Sequence, residues 1–146
     1  MKVVALQVLI LLSLSATGAV LTWKLHPHAP ALYLHEEPVG DGEVSIADAL
    51  KWEAEYGVIW LDARKAEKFE EKHIPGAILL NEYDFNRQLM DSFHLIANQD
   101  QRIVIYCGSH SCKASHKIAE ELRSKMIPDV YVLKGGWDAW LKATGG

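Results

Sequence analysis

The stretch Arg102-Ile103-Val104-Ile105-Tyr106-Cys107-Gly108-Ser109-His110-Ser111-Cys112-Lys113-Ala114-Ser115 decides the reading of the fold. Its first five residues are β-branched or aromatic after a single charge, the pattern of a buried strand. From Lys113 to Met126 the residues are helix formers, with Ala114, Ile118, Ala119 and Leu122 at helical spacing and Pro128 stopping the run. Between strand and helix lie small and polar residues that let the backbone curl around the Cys107 sulfur. Amides of such a loop converge on an anion, and a helix N-terminus adds partial positive charge. That setting lowers a thiol's pKa and raises its thiolate fraction. A thiolate ringed by amides can also carry a transferred sulfur atom as a persulfide. The competing reading is an inert core thiol, since free cysteines are often buried.

Outward from this segment, strands and helices alternate. Val58-Ile59-Trp60-Leu61 reads as a buried strand, followed by helix formers from Arg64 to Lys72. Ala77-Ile78-Leu79-Leu80 reads as a second strand after the Pro75-Gly76 turn. Glu82 to Ala97 follows as a helix with Tyr83, Leu89, Phe93 and Ile96 on its inner face. Val130-Tyr131-Val132-Leu133 is the strand after the Lys113–Met126 helix, and Gly135-Gly136 leads into a short Trp-bearing helix. Upstream, Val44-Ser45-Ile46 reads as a short edge strand and Ala47 to Tyr56 as a helix. The pattern predicts an α/β fold, a mostly parallel central sheet with helices on both faces. Ligands of such sheets bind beyond the carboxyl ends of the strands. Of those ends, the one after Tyr106 carries a clear nucleophile.

The body resembles a single-domain rhodanese, or sulfurtransferase, from about Val44 to Leu141. The resemblance rests on three groups of residues in order. The first is Leu61-Asp62-Ala63-Arg64, then Phe69 and His73-Ile74-Pro75-Gly76-Ala77. The second is Val104-Ile105-Tyr106-Cys107 and its loop. The third is Leu133-Lys134-Gly135-Gly136-Trp137-Asp138-Ala139-Trp140. The resemblance implies that Cys107 attacks a sulfane sulfur donor, holds one sulfur as a persulfide and passes it to a thiol or cyanide, which is covalent catalysis in two half-reactions. It implies Gly108, Ser109, His110, Ser111, Cys112 and Lys113 as the substrate-binding loop. It also implies Asp62, Arg64 and His73 as structural residues near the site, with no metal or organic cofactor.

The loop departs from the family pattern. Many members have Gly three residues after the nucleophile and Arg or Thr five after it; here those positions are His110 and Cys112. Lys72 stands where the family has Gly before His73. The Arg that pairs with thiosulfate is thus replaced, and Lys113 offers a point charge in place of a bidentate fork. Cys112 suggests a resolving thiol, and with it an alternative function, a thiol–disulfide redox protein reset by a reductase. A non-catalytic rhodanese-like binding module is a further alternative. Cysteine phosphatases of related fold need C-x5-R, and the residue at that Arg position is Lys113.

The remainder of the 146 residues is less chemical. Val3 to Thr22 is a run of twenty uncharged residues, the length of a transmembrane helix. Trp23 at its edge fits a membrane interface. Ala16-Thr17-Gly18 also suits a signal-peptide cleavage site, so a cleaved segment is the competing reading. The N-terminal flank holds the α-amine and Lys2, whereas Lys24 is followed by no Lys or Arg until Lys51. That bias predicts a single-pass protein whose C-terminal domain lies on the non-cytoplasmic side, periplasmic or extracellular. Residues 1–24 are read as the anchor, 25–43 as a Pro- and Gly-bearing linker and 44–146 as the domain. His26, His28 and His35 in the linker lack the cysteine or fixed spacing of a metal site.

Net charge is −4, which argues against a nucleic-acid partner. Residues 36–100 carry six basic and fifteen acidic side chains, whereas residues 101–146 carry seven and four. The segment with both cysteines is therefore the one suited to an anionic donor. The expected partners are a small sulfur donor or a protein persulfide, a thiol acceptor, a thiol reductase and the membrane.

Overall fold

Five short parallel strands carry the fold, in the spatial order β1-β5-β4-β2-β3. They are β1 Glu43–Val44, β2 Val58–Asp62, β3 Ile78–Leu79, β4 Arg102–Tyr106 and β5 Val130–Leu133. Among the described residues six helices are found: α1 Lys2–Leu25, α2 Ile46–Tyr56, α3 Ala66–Glu71, α4 Phe85–Ile96, α5 Lys113–Ser124 and α6 Gly136–Thr144. This computed structural model describes residues 2–25, 38–97, 101–108 and 113–145. The chain divides into two units, residues 1–37 and 38–146.

Strand β4 is central because it can be buried on both faces. Ile103, Ile105 and Cys107 point into one apolar cluster with Leu61, Val132 and the inner residues of α4 and α5. Val104 and Tyr106 point into the other, with Trp60, Leu133 and residues of α2, α3 and α6. Helices thus cover both faces, and each fully buried aliphatic side chain contributes roughly 1.5–3 kcal/mol. In-register pairing sets Asp62 beside Tyr106 and Leu61 beside Ile105. The two-residue strands β1 and β3 sit at the edges, where long unpaired ladders are a hazard.

Several boundaries differ from the sequence reading. Ile46 is helical and not a strand residue, because the Ser45 hydroxyl accepts a hydrogen bond from the Asp48 amide and caps α2 one residue earlier. Helix α3 covers only Ala66–Glu71, and β3 only Ile78–Leu79. Helix α4 starts at Phe85, after a turn that leaves Tyr83 68 % exposed, and Phe93 is 50 % exposed. Its inner face is Leu89 and Ile96, with Phe85 packed against the core. In α5 the buried stripe is Ser115, Ile118, Ala119 and Leu122 in place of one beginning at Ala114. This is the i, i+3, i+4, i+7 spacing of one helix face. The helix ends at Ser124, and Met126 takes a positive φ of 66° before Pro128 is reached.

The first unit contains α1, in which side chains are described for Val4 and residues 7–17. Over the described residues no helix is long and apolar enough to cross a membrane, so the expected span over Val3–Thr22 is not shown. His26, His28 and His35 lie outside the described residues.

Candidate active site at the carboxyl end of the central strand

Cys107 follows the last residue of β4 and is 3 % exposed. Its backbone is held from both sides of the sheet. The Trp137 amide, in the first turn of α6, donates to the Cys107 carbonyl at 2.7 Å. The Ala63 amide, just past β2, donates to the Tyr106 carbonyl at 2.8 Å. The neighbouring strands therefore fix where the central strand stops and where the sulfur begins.

The sulfur has a named neighbour. Ser115, 1 % exposed in the first turn of α5, donates its hydroxyl to Cys107 Sγ at 3.7 Å. Cys107 is disulfide-bonded, and the chain contains one other cysteine, Cys112. Ser109, His110, Ser111 and Cys112 lie outside the described residues. Gly108 is exposed, and a Cβ added there would meet nothing within 4 Å. Lys113 opens α5 and is exposed.

A polar and aromatic buttress stands on the Tyr106 face. The Asp62 carboxylate, 0 % exposed, accepts from the Arg64 amide at 2.9 Å and from the Arg64 guanidinium at 3.0, 3.1 and 2.6 Å. The same guanidinium donates to the Lys72 carbonyl at 2.7 Å. It lies 4.4 Å from the Trp137 ring centre and 5.4 Å from that of Tyr106. A planar fork that stacks while it pairs is a property of arginine and not of lysine. Burial acts to lower the Arg64 pKa, but the Asp62 hydrogen bonds and charge outweigh it and the pKa is raised. Burial pushes the Tyr106 phenol well above its ordinary value, against the pull of the Ile74 amide, which donates to its oxygen at 3.1 Å.

His73 is turned to a different task. Its ring stacks on Phe69 with centres 4.0 Å apart, and its Nδ1–H donates to the Phe69 carbonyl at 2.8 Å. Asn81, buried beside the buttress, donates to the Arg64 carbonyl at 3.2 Å. The structure thus joins Asp62 and Arg64 to Tyr106 and Trp137, and joins Ser115 to Cys107. Sequence reasoning assigned no role to Ser115, Tyr106 or Asn81. Ser115 did leave a signal, a lone polar residue heading an otherwise apolar helical stripe.

Comparison with known proteins agrees with this architecture. The family model described as rhodanese-like domain matches residues 45–143. A thiosulfate sulfurtransferase GlpE of Pseudomonas savastanoi pv. phaseolicola is 30 % identical over 86 residues, covering 59 % of this chain and 74 % of that protein. A GlpE of Pseudomonas syringae pv. syringae is 29 % identical over 89 residues, with the same two coverages of 59 % and 74 %. Among solved structures, a Bacillus halodurans protein is 29 % identical with a TM-score of 0.57, over 69 % of this chain and 72 % of that one. The rhodanese-like domain of an Anabaena protein is 28 % identical with a TM-score of 0.55, over 72 % and 76 %. With the family's motifs in order and Cys107 at the end of the central strand, the chain belongs to the rhodanese-like domain family.

Proposed function

We propose that the chain is a sulfurtransferase that moves a sulfane sulfur through a persulfide on Cys107 to a thiol acceptor. The observation that carries this is Cys107 at the carboxyl end of the central parallel strand, with the Ser115 hydroxyl on its sulfur. Ligands of parallel α/β sheets sit at that end. The thiosulfate sulfurtransferases among its relatives support the reaction class. The donor is an anion or a protein persulfide, in keeping with the excess of basic residues after position 100. The test is intact mass measurement of the reduced protein after exposure to thiosulfate, polysulfide or a persulfide donor. Gain of one sulfur atom, lost on adding a thiol, is the expected result; no gain with any of the three sinks the reading.

A second reading builds on the disulfide at Cys107. In it, the Cys112 thiolate attacks Sγ of the Cys107 persulfide. The bond between Sγ and the outer sulfur breaks, and hydrosulfide leaves with the electron pair. A Cys107–Cys112 disulfide remains, and an external dithiol reduces it by two electrons. Cys112→Ser should still take up sulfur on Cys107 but accumulate the persulfide and release no hydrosulfide by this internal route. Wild-type sulfide release from that variant, with no such disulfide in the oxidised protein, would reject the redox step.

Membrane anchoring through the first unit completes the proposal. Helix α1 has 24 residues, and the run Val3–Thr22 within it bears no charge. In the sequence that run has the roughly twenty uncharged residues of a transmembrane segment, and the anchor is proposed on this ground. Ser13, Ser15 and Thr17 return their hydroxyls to the carbonyls of Ile10, Leu12 and Ser13. That removes the polar penalty a bilayer would impose. An oxidised Cys107 suits a domain on the non-cytoplasmic side, where disulfides persist.

A further inference from the structure

Ser115 is an unexpected residue on the inner face of α5. The positions that share this face, Ile118, Ala119 and Leu122, are apolar and buried. Alanine would fill the same place without taking a hydroxyl out of water. Two other helical hydroxyls of the domain turn back on their own backbone: Ser124 donates to the Glu121 carbonyl at 2.7 Å and Thr144 to the Trp140 carbonyl at 2.9 Å. Ser115 instead reaches across from α5 to β4, to the sulfur of a residue eight positions earlier.

We infer that Ser115 sets the reactivity of Cys107, as the hydroxyl donor that stabilises negative charge on Sγ. This deepens the sulfurtransferase reading and rests on Cys107 being the reactive sulfur. A hydrogen bond to a charged group is roughly twice as strong as one between neutral groups. The Ser115 bond therefore strengthens when Cys107 becomes a thiolate and favours that form. It acts again when Sγ leaves as thiolate on handing its outer sulfur to an acceptor. Cys107 packs into a cluster of Leu61, Ile105, Ile118, Ala119 and other apolar side chains, which disfavours a bare charge. The titratable groups on the elements around it include Lys113, His116 and Lys117 on α5, Asp62 at the end of β2, Arg64 just after it, Tyr106 on β4 and Asp138 on α6. Of these, Arg64 pairs with Asp62, and His116 lies 3.5 Å from Glu43.

The test is the pH profile of iodoacetamide alkylation in full-length protein carrying Cys112→Ser, where Cys107 is the sole thiol and has no disulfide partner in the chain. All other titratable neighbours stay in place, so they cancel in the comparison. Adding Ser115→Ala should move the midpoint to higher pH and slow alkylation below the midpoint about tenfold, while the plateau at high pH is retained. Ser115→Thr, which keeps a hydroxyl, should restore the parent midpoint. Titration of thiolate ultraviolet absorbance on the same variants reads that midpoint independently of reagent access. Coincident midpoints for Ser115→Ala and the parent, or a changed plateau with the midpoint in place, would overturn the inference. Alkylation needs no sulfur donor, so this failure is separable from failure of the sulfurtransferase reading, which the mass gain reports.

Discussion

The Trp137 amide donates to the Cys107 carbonyl at 2.7 Å, so helix α6 hangs from the residue that follows the central strand. The same tryptophan lies under the Arg64 guanidinium, and Arg64 grips the buried Asp62. A chain of contacts therefore runs from the end of β2, through a stacked cation, to the backbone of the nucleophile. Its effect is to hold the strand end where the Ser115 hydroxyl and the sulfur meet.

Replacing Cys107 with Ser should abolish persulfide formation and sulfur transfer while leaving thermal unfolding of the reduced protein nearly unchanged. The hydroxyl fits the volume, but its pKa is too high for it to serve as a nucleophile without an activating base. Mass measurement and a melting curve on the same sample check both halves. Persistent transfer in this variant would move the active site elsewhere.

Arg64→Ala should cost about 3–5 kcal/mol in urea unfolding, because it strands the buried Asp62 carboxylate. Arg64→Lys should recover only part of this. A lysine supplies charge but cannot bond both carboxylate oxygens and the Lys72 carbonyl while stacking on Trp137. Equal stability of wild type and Arg64→Lys would show that charge alone, and not the fork, holds the buttress.

Tyr106 makes alkaline pH the sensitive side. Burial raises its folded pKa above the ordinary value of 10.0, so the unfolded chain loses the phenolic proton first as pH rises. The unfolded state then binds fewer protons than the folded one, and stability falls with pH. The contribution is fully present below the ordinary value and declines above it. Unfolding free energy measured across this range should drop less steeply in Tyr106→Phe. That variant should also be less stable at neutral pH, because the buried Ile74 amide loses its acceptor. Parallel alkaline slopes for the two proteins would contradict this origin.

Full-length protein should sediment with membranes and resist extraction by high salt, whereas a version starting at Pro38 should stay in the supernatant and fold. The second unit begins at that residue and holds both apolar clusters. Recovery of the mature protein as a soluble species beginning near Ala19 would instead establish cleavage.

The sequence by itself determined the alternation of strands and helices, the burial of the strand Ile103-Val104-Ile105-Tyr106 and the place of Cys107 at its end, whereas the central position of that strand came from the fold. The former are properties of short stretches: a run apolar on both faces has to be buried, and small polar residues after it make a turn. The motif residues Asp62, Arg64 and Trp137 were also legible, but not their shared purpose. Only the tertiary structure decided that Arg64 stacks on Trp137 while it pairs with Asp62, because the two residues are 73 positions apart in the chain. It likewise turned Phe93 outward and Ser115 inward, since the face a helix buries depends on its rotation against the sheet. The expected and observed stripes of α5 share Ile118, Ala119 and Leu122 and differ in whether Ala114 or Ser115 heads them. Packing against β4 and β5 chose between them, and in doing so set a hydroxyl on the sulfur of Cys107.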